Sequence, residues 1–193
     1  MIKKKMPEKS ISQAGGKMDL SLLYWEFSGF LFISIAGFLS HFIFVWSGRN
    51  RLVGVFGAVN ESVWEHQKLV FWPSVIFALT GSFFLAGAYD FWFAKAVSIV
   101  FMPLFIICVH YAYKTLLGKR IIFVDISLFF IAAALGQFLS FRLMTAATVA
   151  EHMNNIGIIV ISFVSLLFIT FTFYPIHIHI FRDATNGRYG MDI

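Results

Sequence analysis

Five stretches of this chain are long and apolar enough to cross a lipid bilayer, and that feature constrains the fold more than any other. A helical span needs about 20 apolar residues at 1.5 Å each. The runs at 27–46, 69–89, 96–113, 121–141 and 156–174 meet or approach that length. Hydrophobic residues make up 59% of the 193 and charged residues 13%, against roughly 45–50% and 25% in a soluble domain. A globule of this size cannot hide that imbalance, so lipid must cover much of it. Tyr24, Trp25, Trp46, Tyr113 and Tyr174 stand near run ends, where an interfacial aromatic belt would place them. The links are short, so neighbouring helices run antiparallel. The expected fold is all-α, an integral membrane bundle of five transmembrane helices over residues 20–185, and the expected location is the cell membrane. A basic tail, 1–19, precedes the bundle and a short polar tail, 186–193, follows it.

The rest of the composition narrows the partners. Lys3, Lys4, Lys5, Lys9 and Lys17 account for much of the +5 net charge. No aromatic residues interleave them, so the tail suits water or lipid headgroups and not nucleic acid. Cys108, the single cysteine, excludes an intramolecular disulfide and a cysteine-built metal site. Membrane lipid is the expected partner, and a protein partner or a second copy of the chain is left open.

Five alternating spans assign every span end to one of two membrane faces. One face receives His41, then Glu61, Glu65, His66 and Lys68, then His110, Asp125, His177 and His179. The other receives Glu26, Asp90, Lys95, Arg142, Glu151 and His152. Ionisable residues inside spans usually face a bundle interior or a cavity. His41, Glu61, His110 and Asp125 are therefore expected to share one polar cavity, with His66 and one of His177 or His179 joining it. Positive charges near the span ends lean this face toward the cytoplasm.

The densest stretch is N-E-S-V-W-E-H at 60–66, followed by Gln67 and Lys68. Ser62 and Glu65 match the S-x-x-E capping box of a helix start. Helical spacing puts Glu61, Glu65 and Lys68 on one face, so that Lys68 can neutralise a carboxylate, while His66 points about 100° away from Glu65 and meets a different neighbour. His177 and His179 share one side only if Pro175 turns their segment out of the helix.

The N-E-S-x-W-E-H heptapeptide, with Lys68-Leu69 and Phe71-Trp72-Pro73 after it, resembles an uncharacterised family of small multi-pass bacterial membrane proteins. That resemblance covers most of residues 20–185 and brings no activity. A weaker similarity is to the membrane hydrolases of the alkaline ceramidase and adiponectin-receptor superfamily, which bind zinc with three intramembrane histidines. This chain departs from them in having five runs and not seven, and in its H-x-H spacing.

Three functions compete. A metal-assisted membrane hydrolase would draw metal ligands from His41, His66, His110, His177 and His179, and catalytic carboxylates from Glu61, Glu65 and Asp125. Its cofactor would be a divalent metal such as zinc, which activates water while keeping an open position. An ion- or proton-coupled transporter would use the same groups as carriers. A non-enzymatic assembly or sensor subunit would use them to bind a partner.

Overall fold

The computed structural model of the chain describes residues 20–86, 90–146 and 151–191; the basic tail lies outside them. It contains five helices: α1 (Leu20–Trp46), α2 (Val63–Leu85), α3 (Phe91–Leu117), α4 (Ile122–Ala146) and α5 (Glu151–Phe173). Each is long and apolar enough to cross a membrane. Among the described residues there is no strand, only an isolated bridge between Arg182 and Tyr189. The fold is the all-α five-helix membrane bundle that the apolar runs imply.

Four helices, α1, α2, α3 and α5, begin before their apolar runs, and in α1 and α3 a buried ion pair accounts for it. Counting apolar residues starts the first run after Glu26 and the third after Lys95. The structure carries α1 back to Leu20 and α3 back to Phe91, because the two charges meet. Lys95 Nζ lies 2.7 and 2.8 Å from the two Glu26 carboxylate oxygens, and both side chains are buried. A paired charge of this kind no longer has to end a span.

Helix α3 packs against α2, α4 and α5, and α1 packs against α2 and α4. Pro73 lies inside α2. It has no N–H to give the Leu69 carbonyl four residues back. Gly37 of α1 sits directly on that carbonyl, where any larger residue would collide with it and with the Phe129 ring of α4. One turn-pair earlier, Gly29 of α1 meets the Gln137 amide of α4 in the same way. Small residues thus draw α1 close to its neighbours. Ala132, Gly136 and Ser140 of α4 are all buried, with Gly136 against Met102 of α3. Outward residues such as Phe83, Phe123 and Ile159 are exposed, as lipid-facing positions should be.

The link at residues 47–62 forms no span. It holds a short 3-10 helix, Val53–Val55, with Val55 buried and Leu52 exposed. After α5 the chain turns at Pro175 and folds back as a loop over residues 174–191. Phe181 of this loop is buried and packs on Trp64 and Phe171.

Candidate functional site

The start of α2 divides its ionisable residues between two jobs. Ser62 caps the helix, its hydroxyl accepting the Glu65 N–H at 3.2 Å. The Glu65 carboxylate turns inward, accepting from Lys68 Nζ at 2.6 Å and from the Val59 N–H at 3.1 Å. Lys68 Nζ also donates to the Gly54 carbonyl at 3.0 Å. Glu65 and Lys68 are both buried, so this pair clamps the 47–62 link to α2. Both bonds fall on Oε2, so this buried carboxylate serves as an anchor, and Glu65 does not line the cavity described next.

Glu61 does not share the face of Glu65 and Lys68, because the helix starts only at Val63, after it; it goes with His66, which points the other way. The His66 Nδ1 lies 2.8 Å from the Ser62 carbonyl. A carbonyl only accepts, so Nδ1 carries the proton and Nε2 is the free nitrogen. That Nε2 lies 3.5 Å from one Glu61 oxygen, and His41 Nε2 lies 3.8 Å from the other. The His41 and His66 ring centroids are 5.4 Å apart. One donor atom from each of His41, Glu61 and His66 falls within 4.8 Å of the other two. A four-coordinate zinc site holds its donors roughly 3.3 Å apart, so this cluster closes on an ion with a modest inward swing of its side chains.

A second pair stands across the same space. His110 Nδ1 donates to Asp125 Oδ1 at 2.7 Å. Tyr113 Oη donates to the same oxygen at 2.6 Å, and Arg120 Nε donates to Oδ2 at 2.7 Å. These partners fix the His110 tautomer and leave Nε2 with the lone pair. His110 Nε2 is buried and has no hydrogen-bond partner.

The returning C-terminal loop is tied to the cluster's side of this space. Asn60 Nδ2 donates to the Gly190 carbonyl at 2.9 Å, and the Glu61 N–H donates to Asp183 Oδ2 at 3.3 Å. Asp183 Oδ1 accepts from the Thr185 hydroxyl at 2.6 Å and its N–H at 2.7 Å. Burial works to raise the Asp183 carboxyl, but the Thr185 hydroxyl and the N–H groups of Thr185, Glu61 and Asn186 outweigh it and hold the carboxyl below its ordinary value.

Together these elements enclose a cavity of about 1070 Å³. Its wall carries His41, Glu61, His66, His110, Asp125 and His179 among apolar residues of α1, α3 and α4. The structure therefore brings His41, Glu61, His66, His110 and Asp125 to one cavity. It separates them into a cluster of three and a dyad, with His110 outside the cluster. His179 reaches the wall without joining the cluster. The segment does leave the helix after Phe173, yet His177 is not on the wall and lies against the Tyr189 ring at 4.6 Å. Tyr113, Arg120 and Gln67 were not singled out from sequence. Tyr113 follows His110 by three residues and shares its helix face, a signal that was present. The buried Gln67 Oε1, which faces no partner, gave none.

Fold and cavity define the class: a multi-pass membrane protein with a polar, partly enclosed cavity at one end of its bundle. Within that class the chain belongs to a family of unknown function, DUF6512, whose model matches residues 17–191. No curated protein and no solved structure matches the chain.

Proposed function

We propose that this protein is a metal-assisted hydrolase acting on a lipid or another membrane-embedded ester. The observation that carries the reading is His66. With its Nδ1 proton committed to Ser62, its Nε2 lone pair faces the Glu61 carboxylate and the His41 ring. A lone pair and a carboxylate repel unless a proton or a metal cation lies between them. A divalent metal at that point would satisfy all three groups, and it would polarise a carbonyl or phosphoryl oxygen and acidify water. The Ser62 carbonyl is the kind of outer partner that orients a metal-binding imidazole.

The dyad supplies the proton chemistry. Asp125 orients His110, a residue of the cavity wall, so that its buried Nε2 carries the lone pair a base needs. In hydrolysis the oxygen of water bonds to the acyl carbon or phosphorus, and the ester bond to the leaving oxygen breaks. His110 Nε2 takes a proton from that water and returns it to the leaving oxygen. Tyr113 and Arg120 keep Asp125 in place throughout.

The test is solvent-oxygen incorporation. Metal-loaded protein is reconstituted with membrane lipid in H2(18)O, and the products are read by mass spectrometry. Wild type should place the label in a lipid product, while Glu61→Gln and His110→Asn should lower the rate by about 10²–10⁴-fold. No label from fully metal-loaded wild type would remove the hydrolase reading and leave the cavity to an ion-coupled or assembly role.

A further inference from the structure

We infer that the cavity takes a lipid with a phosphate-bearing head, which enters sideways between α1 and α4. This rests on the reading of the cavity as a substrate site and names the substrate class; it does not require the metal.

The first observation is the shape of the wall. Phe38 and Phe42 of α1 and Ile122 and Ile126 of α4 all line the cavity. The same four side chains are exposed, from 37% at Phe42 to 66% at Ile122. Side chains that face both the cavity and the outside of a membrane bundle mark a sideways opening to hydrocarbon. The two helices touch deeper in the bundle, at Gly37 against Phe129 and Gly29 against Gln137. Toward the end that holds the polar groups, Phe38, Phe42, Ile122 and Ile126 of the two helices line the cavity. A chain of a lipid can lie against them without leaving the apolar phase.

The second observation is the charge left over. Every acidic side chain on the wall is engaged. Asp125 accepts from His110, Tyr113 and Arg120. Asp183 is held within its own loop and by Glu61, and Glu61 faces the two histidines. Lys114 and Arg182 also line the cavity, and neither pairs with a carboxylate among the described residues. Arg182 Nε donates only to the Gly187 carbonyl, at 3.2 Å. Lys114 lies in the last turn of α3 and Arg120 just before α4, at helix ends where headgroups sit. A ligand bringing negative charge there meets Lys114, Arg182 and the remaining N–H groups of Arg120. Three cationic side chains from three elements are better matched by a phosphate monoester, with up to two negative charges and three terminal oxygens, than by a carboxylate with one charge and two oxygens. Phosphate oxygens also match the planar guanidinium fork. At about 1070 Å³ the space exceeds the usual small-molecule pocket and has room for a head with part of a chain.

The test is displacement of a fluorescent phosphatidate from the Glu61→Gln protein in detergent, where hydrolysis does not interfere. Competitors are dioleoyl phosphatidate, dioleoylglycerol, oleate and inorganic phosphate. Phosphatidate should compete at least about tenfold better than dioleoylglycerol or oleate, the size of one charge-assisted contact. Lys114→Gln with Arg182→Gln should erase that preference, with thermal unfolding confirming a folded protein. Ile126→Trp should weaken phosphatidate and leave a short-chain dibutyryl analogue unaffected. Equal competition by phosphatidate and dioleoylglycerol would overturn the inference and leave the basic residues as orientation signals only. Oleate matching phosphatidate would replace phosphate with carboxylate, and inorganic phosphate matching it would remove the lipid; either overturns it as stated. Because catalysis is absent throughout, a failed hydrolase assay and a failed binding assay remain separate results.

Discussion

Both ends of the bundle bury ionisable residues, and they do so differently. At one end Glu26 and Lys95 satisfy each other, with Lys95 Nζ also near the Phe77 and Phe91 rings at 5.5 and 5.7 Å. Both side chains are almost wholly buried. At the other end Glu61, His41 and His66 are half-exposed on a cavity wall, with longer contacts of 3.5 and 3.8 Å and a free nitrogen on His110 nearby. The difference separates glue from site. A closed pair joins α1 to α3 and has no valence left over. An open cluster with unspent donors and acceptors is costly in lipid unless something binds it. The Glu65–Lys68 clamp shows that the two kinds occur within four residues of each other on one motif.

The sharpest way to break this contrast is by truncation. Lys95→Ala leaves an unpaired carboxylate in the bundle and should cost on the order of 3–5 kcal/mol, read as a fall in thermal unfolding temperature in detergent. Replacing both partners, Glu26→Leu with Lys95→Met, should recover most of that loss. Glu61→Gln at the open end should cost less than about 1 kcal/mol. Equal losses at the two ends would mean that the open cluster is also structural.

A smaller effect comes from the loop over the cavity. Because the Asp183 carboxyl is held below its ordinary value, the folded state favours its charged form. Its contribution is complete above the ordinary carboxylate range and is lost only as pH falls through the lowered value. Loop closure, read by hydrogen exchange over residues 179–191, should stay constant down to about pH 4 and then weaken. Asp183→Asn should raise exchange already at neutral pH. Loosening between about pH 5 and 7 would assign closure to the histidines instead.

Much of the fold is legible in the sequence because span length is a local property. The true starts of α1 and α3 are not, since only the tertiary contact between Glu26 and Lys95 makes those charges tolerable. The gathering of His41, Glu61, His110 and Asp125 at one end follows from alternation alone. Their division into a cluster and a dyad depends on side-chain directions that spacing does not fix. The capping motif was half informative: Ser62 caps as its pattern requires, but the Glu65 side chain goes to Lys68 and Val59 because a lysine three residues on offers a charge. Arg120 is, in sequence, only one more positive charge near a span end, and the structure places it on Asp125.

The most direct measurement is the metal content of protein purified without chelators, by elemental mass spectrometry, for wild type and for the His41→Ala, His66→Ala pair. The account predicts about one divalent ion per wild-type chain, lost from the double variant while its unfolding temperature stays close to wild type. Metal-free wild type that remains so after incubation with zinc, iron or manganese would contradict it, as would full occupancy in the double variant.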